Sequence, residues 1–66
     1  MDICGIYKHY KGNVYEVIGI AKHSETLEDM VVYKSVTTGD LWVRPYGMFF
    51  EFVTVNGKTI PRFEKL

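Results

Sequence analysis

The sequence predicts an all-β fold, a small antiparallel barrel of the SH3-like type with five to six short strands and one short helical turn near residues 46–50. Two observations lead to this prediction. Short segments rich in Val, Ile, Tyr and Phe are separated by turn residues at short intervals, which is typical of small β-barrels. No segment keeps a helical periodicity long enough to cover an open sheet, which is the alternative architecture.

The first half of the chain predicts three strands. Gly5 to Tyr10 is aromatic and alternating, and it ends at the turn Lys11-Gly12-Asn13. Val14 to His23 forms the second and longest strand. The second half of this strand is apolar on both faces and contains Gly19, so we expect a β-bulge or a sharp bend there. Met30 to Ser35, rich in Val and Tyr, forms the third strand.

The second half begins with a hairpin loop, Thr37 to Asp40, in which Gly39 supplies the left-handed conformation. Leu41 to Arg44 is the fourth strand, and Pro45 ends it because proline has no N–H to donate. The segment Tyr46 to Phe50 is too short for a full helix, so we expect a single helical turn.

The last part of the chain predicts a hairpin. Phe52 to Val55 and Lys58 to Phe63 flank Asn56-Gly57, which is the strongest short hairpin signal in the sequence. A two-residue turn at this point sets the register of the two strands. Continued along the strands, that register places Glu51 opposite Arg62 and predicts a cross-strand ion pair worth ~0.2–1 kcal/mol.

Composition restricts the class of protein. We expect the 66 residues to form one domain, residues 1–66, and the single cysteine, Cys4, excludes an internal disulfide. The formal net charge is zero, whereas a phosphate-binding surface normally carries a basic excess. The N-terminus has no basic residues followed by an apolar segment, and no apolar segment is long enough to cross a membrane. We therefore expect a cytoplasmic protein.

Seven segments together resemble a family of small bacterial proteins. They are Gly5–Gly12, Tyr15–Val17, Ala21–Thr26, Val32-Tyr33, Trp42–Pro45, Met48-Phe49 and Pro61–Phe63. The family is known only as domain of unknown function 1653 (DUF1653), and the resemblance covers nearly the whole chain. It implies a bacterial domain that stands alone or is appended to others, and it implies no particular activity.

The polar segment His23 to Thr26 is the first candidate site. His23 and Glu25 lie two residues apart, so a strand would place them on one face, where the carboxylate could orient the imidazole. The alternative is a turn in which Ser24 caps the end and Glu25 and Thr26 bond free backbone N–H groups. No nucleophile, phosphate loop or zinc-ligand spacing accompanies the histidine, so the sequence favours the turn and predicts neither a metal nor a cofactor.

Trp42 and Arg44 form the second candidate site. If Leu41 and Val43 fill the core, Trp42 lies outward and partly exposed beside Arg44, which is a typical hot-spot pairing. The opposite assignment buries Trp42 and pairs Arg44 with a carboxylate, for which the candidates are Glu25, Glu28 and Glu51. A further group of rings is expected mostly in the core: Tyr46, Phe49, Phe50, Phe52 and Phe63.

These observations predict a non-catalytic binding module that recognises a peptide or an anionic group. The candidate binding residues are His23, Glu25, Tyr33, Trp42 and Arg44. The alternatives are a barrel that binds single-stranded nucleic acid and a small hydrolase around His23 and Glu25. The expected partner is a peptide or a protein rather than nucleic acid or a membrane. A homodimer stays open, because surplus aromatic side chains would form an exposed patch.

Overall fold

The fold is mainly all-β, as predicted. The computed structural model describes residues 2–66. In chain order its elements are β1 Gly5–His9, β2 Val14–Lys22, β3 Asp29–Ser35, β4 Leu41–Pro45, α1 Tyr46–Phe49, β5 Phe52–Val55, β6 Lys58–Pro61 and β7 Phe63–Lys65. The short helical turn lies where the sequence predicted it. The last predicted strand is divided, because Arg62 separates β6 from β7.

The strands form two antiparallel sheets. A five-stranded sheet has the order β4-β3-β2-β1-β7, and β5 pairs with β6 in a small second sheet. Within the described residues β4 and β7 are the two edges of the large sheet and do not pair with each other, so a closed barrel is not confirmed. No helix in residues 2–66 is long and apolar enough to cross a membrane.

The large sheet curls until its two edges approach each other. The register of β2 against β3 shifts between Val17 and Gly19, which is the bulge expected at this glycine. A bulge bends the strand and increases its twist. As a result, the Arg44 guanidinium on β4 lies 5.8 Å from the ring centroid of Phe63 on β7, at the opposite edge. Between the two edges, side chains are therefore in contact where, within residues 2–66, the strands form no backbone hydrogen bonds with each other.

An aromatic core fills the concave side of the curled sheet. Its buried residues are Ile3, Tyr7, Val17, Val31, Tyr33, Phe49 and Phe63, with Tyr15, Tyr46 and Phe50 packed against them. Phe49 of α1 is fully buried and stacks on Phe63, with 4.1 Å between centroids and 6° between planes. The helical turn α1 therefore fills the concave side of the sheet with the ring of Phe49, and we call this its plug role. Of the five rings expected in the core, only Phe52 is largely exposed, at 64%.

The predicted C-terminal hairpin is confirmed in its turn and register. Asn56 and Gly57 both have positive φ, 50° and 77°, as a type I′ turn requires. Val55 faces Lys58 across the turn. Beyond β6, an Arg62 guanidinium nitrogen lies 2.7 Å from Glu51 Oε1, which is the predicted ion pair.

Replacing Gly57 with Ala tests the turn. We expect a loss of about 1 kcal/mol in the free energy of unfolding, because alanine is strained at a φ of 77°. Gly47→Ala is the matched control, since Gly47 lies in α1 with no atom within 4 Å of an added Cβ. Urea unfolding should rank Gly57→Ala below the wild type and Gly47→Ala at or above it. Equal losses in both variants would contradict the turn assignment.

Candidate binding site at the edge of the sheet

Trp42 and Arg44 lie on the concave face of β4. Trp42 pairs with Tyr33 and Arg44 with Val31, and directly opposed residues share a face. Of the two assignments that the sequence left open, the one with Leu41 and Val43 in the core is not observed, and these residues are 65% and 59% exposed on the other face. Trp42 is not buried either. It remains 51% exposed because β4 is an edge strand with no neighbour on one side.

Arg44 is held in place by aromatic groups. Its Nε donates a long hydrogen bond of 3.5 Å to the hydroxyl oxygen of Tyr33, and its guanidinium lies over the face of Phe63. The predicted carboxylate pairing is not observed: among residues 2–66 no salt bridge involves Arg44, and Glu51 pairs with Arg62. The terminal guanidinium nitrogens thus form no ion pair within the described chain.

Tyr33 contributes to the site from inside the core. Only 4% of this residue is exposed, so its ring is not part of an open surface. The ring packs edge-on against Tyr15, Phe49 and Phe63, at centroid distances of 5.2, 5.3 and 5.4 Å. This packing fixes the hydroxyl that accepts the bond from Arg44. Tyr33 therefore acts as a positioning residue for the arginine.

His9 lies next to the same cluster. It pairs with Phe63 between β1 and β7, and the two rings meet edge to face at 4.8 Å. The backbone N–H of Lys11 donates to His9 Nδ1, so the neutral ring carries its proton on Nε2. Burial disfavours the charged ring and lowers the pKa of His9 below its ordinary value. Three nearby cations lower this pKa further, and they are Arg44, Arg62 and Lys11.

The lowered pKa of His9 predicts a loss of stability in mild acid. As the pH falls below about 6.5, the unfolded chain takes up the proton before the folded chain does. The free energy of unfolding should fall until the pH passes the lower pKa of the folded state. Urea unfolding at about pH 7.5 and about pH 5.5 measures the loss. His9→Gln should reduce the difference between the two pH values, and an unchanged difference would exclude His9 as its source.

The segment His23 to Thr26 forms the loop between β2 and β3. His23 Nδ1 accepts hydrogen bonds from the backbone N–H groups of Glu25 and Thr26, at 3.1 and 3.3 Å. The main chain of His23 also closes the loop, since its N–H donates to the carbonyl oxygen of Glu28 and its carbonyl accepts from Leu27. The imidazole of His23, rather than Ser24, therefore caps this turn. Glu25 takes part through its backbone N–H, which donates to the imidazole.

The structure does not bring His23 and Glu25 together with Trp42 and Arg44. Within residues 2–66 no hydrogen bond or salt bridge joins the loop to β4. The loop ends directly before Asp29, which lies two residues along β3 from the partner of Arg44 and four from the partner of Trp42. These spacings correspond to ~7 and ~13 Å of strand. The two groups of candidate residues therefore lie at different positions along β3 and do not bond to each other within residues 2–66.

The other reactive side chains do not form a metal site in the part of the chain described here. No three His, Cys, Asp or Glu side chains converge there on a point where a metal could bind. Cys4 is exposed rather than buried, and its Sγ lies 3.1 Å from the carbonyl oxygen of Ile18. The adjacent Asp2 raises the pKa of the Cys4 thiol, whereas a nucleophilic cysteine needs a lowered pKa.

Comparison with known proteins places the chain in a family. A family model described as protein of unknown function, DUF1653, matches residues 5–65. The chain belongs to the DUF1653 family. It is similar to the crystal structure of a DUF1653 protein from Bordetella bronchiseptica, with a TM-score of 0.90 and 31% sequence identity, covering 98% of this chain and 87% of that one. A search of curated proteins found no match.

Membership of DUF1653 confirms the resemblance seen in the sequence and brings no activity with it. The candidate site of this DUF1653 protein is bordered by two residues that sequence reasoning did not single out as site residues, His9 and Phe63. Both lie at the β1–β7 pairing, which is long-range, whereas the sequence shows β7 only as the end of a hairpin strand. The interruption at Arg62, directly after Pro61, is the signal that marks the separate strand.

Proposed function

We propose that this DUF1653 protein is a non-catalytic binding module that recognises a carboxylate-bearing peptide at Trp42 and Arg44. One observation carries the proposal. The Arg44 guanidinium is fixed over Phe63, bonded to a buried Tyr33, and has no carboxylate partner within residues 2–66. An arginine fork held in this way can bind a carboxylate bidentately, with little further loss of side-chain freedom.

The surroundings of Arg44 support an anionic ligand. Arg44, Arg62 and Lys11 all lie close enough to lower the pKa of His9, and of these Arg62 is paired with Glu51. Within residues 2–66 no salt bridge involves Arg44 or Lys11, so their positive charges are not compensated by an ion pair. Trp42 lies two residues from Arg44 on the same face and is half exposed. Tryptophan and arginine are among the residues most enriched at the positions that contribute most to the free energy of binding at protein interfaces.

The other two candidate functions have less support. A nucleic-acid surface needs several cations along a track of exposed rings, whereas most rings of this cluster are buried and the net charge is zero. A hydrolase around His23 and Glu25 needs the Glu25 carboxylate to orient the imidazole, and within residues 2–66 no hydrogen bond joins these two side chains. The Nδ1 atom of His23 is occupied by two backbone N–H groups.

Selection of random peptides of about 12 residues, displayed on phage, tests the proposed function. We expect the wild-type protein to enrich peptides that contain Asp or Glu, and Arg44→Gln to lose that enrichment. Lys58→Gln is the matched control, because it removes one exposed positive charge from β6, outside the site.

Two outcomes would overturn the proposed function. One is enrichment of the same acidic peptides by Arg44→Gln. The other is no enrichment by the wild type together with salt-dependent binding of a single-stranded oligonucleotide, which would assign the site to nucleic acid. A selective loss in Arg44→Gln, with Lys58→Gln unchanged, supports recognition of a carboxylate by Arg44.

A further inference from the structure

We propose that the peptide binds in an extended conformation along the free edge of β4 and adds a sixth strand to the five-stranded sheet. This inference rests on the proposed function, because it assigns a binding mode to the ligand of the same site. It also predicts what the ligand must be: a segment of chain with free backbone N–H and C=O groups, rather than a small carboxylic acid.

The pairing between β3 and β4 determines which main-chain groups are already used. The backbone N–H of Ser35 donates to the carbonyl oxygen of Asp40 at 2.9 Å, directly before the first residue of β4. Hydrogen-bonded pairs alternate along an antiparallel ladder. From this starting point, Trp42 and Arg44 direct their main-chain groups toward β3.

The intervening residues of β4 therefore direct their main-chain groups toward the free side. Leu41 and Val43 each present an N–H and a C=O there. The C=O of Pro45 is already used, because Pro45 is the N-cap of α1 and its carbonyl accepts the first hydrogen bond of the helical turn. Pro45 agrees with this assignment, because a proline in a strand is tolerated where its missing N–H would have faced solvent. The edge thus offers a row of donors and acceptors spaced for another strand.

Features that normally prevent strands from pairing occur only at the end of this edge, where Arg44 is charged and Pro45 has no N–H, and not over Leu41 to Val43. The other edge of the sheet, β7, has only three residues and ends in Glu64 and Lys65. In contrast, β4 has five residues, and the side chains of Leu41, Trp42 and Val43 are all at least half exposed. Because natural sheets usually protect an edge with charges or short length, the unprotected part of β4 is open to pairing with another strand.

The side chains of β4 specify the chemistry of that partner. On one face Arg44 offers a positive charge and Trp42 a ring, and on the other Leu41 and Val43 offer aliphatic surface. A strand added beside β4 alternates in the same way. The ligand is therefore an extended peptide with a carboxylate on the face of Arg44 and aliphatic side chains on the face of Val43.

A second copy of the chain, paired along β4, is the competing occupant. Two-fold antiparallel pairing centred on Val43 would place each Arg44 beside the Trp42 of the other copy. Such a dimer would still leave both guanidinium groups without a carboxylate. The uncompensated charge of Arg44 therefore favours an acidic peptide over a second copy of the chain. The experiment below distinguishes these two occupants.

The test uses the tightest-binding acidic peptide from the phage selection, synthesised with each backbone amide methylated in turn. Strand addition predicts that every second methylation along the paired segment weakens binding, by roughly tenfold, because alternate N–H groups point at the edge. The intervening methylations should have little effect. Replacing the acidic residue with its amide should weaken binding independently of this pattern.

A protein variant provides the second arm. Val43→Pro removes one outward N–H and should leave the bonds to β3, so we expect it to fold and to lose most of its affinity. If Val43→Pro does not fold, the methylation series alone decides. Strand addition would be overturned if the effect of methylation on affinity showed no two-residue period. The proposed function would still stand if removal of the peptide carboxylate or of Arg44 continued to weaken binding. A dimer of the wild type in ultracentrifugation that Val43→Pro abolishes would also overturn strand addition by a peptide.

Discussion

Phe49→Ala should unfold this domain or bring it close to unfolding. Phe49 is fully buried and contacts four rings, of which Tyr7, Tyr33 and Phe63 belong to the buried core. Removing a buried phenylalanine ring typically costs ~3–5 kcal/mol, since the cavity cannot collapse completely. A chain of 66 residues has a total stability of roughly 3–10 kcal/mol. The expected loss is thus comparable to the total free energy of unfolding of the domain.

Phe52→Ala is the matched control for this prediction. Phe52 has the same side chain, but it is 64% exposed on β5 and should cost less than about 1 kcal/mol when truncated. Thermal unfolding followed by near-UV circular dichroism compares the two variants. If Phe49→Ala retains a cooperative transition within a few degrees of Phe52→Ala, the plug role of α1 is wrong.

Trp42→Ala should abolish binding while the domain stays folded. Because Trp42 is 51% exposed, its truncation should cost no more than about 2 kcal/mol of stability. Loss of a hot-spot tryptophan typically costs at least ~2 kcal/mol of binding, which is about thirtyfold in affinity. Calorimetric titration with the acidic peptide and thermal unfolding measure the two effects separately.

The opposite pattern would contradict the assignment of Trp42. Loss of the cooperative thermal transition would mean that Trp42 is part of the core. Unchanged affinity in a folded Trp42→Ala protein would place the binding site elsewhere. Phe52→Ala again serves as the control, because it removes an exposed aromatic ring outside the site and should leave the affinity unchanged.

Local sequence signals predicted most of the fold. Asn56-Gly57 specified the C-terminal hairpin together with its register, because a two-residue turn fixes which residues face each other. Gly19 marked the bulge in β2, because a glycine inside a strand often indicates a bulge. What could not be predicted is the pairing of β7 with β1, since two strands more than fifty residues apart are joined by the packing of Phe63 rather than by a local turn.

The site was predictable in part. The two-residue spacing of Trp42 and Arg44 placed them on one face, but the pattern of β4 could not show which face is concave. An edge strand is exposed on both faces, so Leu41 and Val43 look like core residues in the sequence and lie in solvent in the structure. For His23 to Thr26 the sequence favoured a turn with Ser24 as its cap, whereas in the structure the imidazole of His23 accepts the capping hydrogen bonds.

The fluorescence of Trp42 gives the most direct test of the central claim. Trp42 is the only tryptophan in the chain, so any change in emission reports on the edge of β4. In a titration with the acidic peptide, we predict a saturable change in Trp42 emission. For the matched peptide with Gln in place of Glu, we predict that the midpoint of this titration moves to a concentration at least about tenfold higher. Binding detected by calorimetry with no change in Trp42 emission, and with equal affinity for both peptides, would contradict recognition of a carboxylate at Trp42 and Arg44.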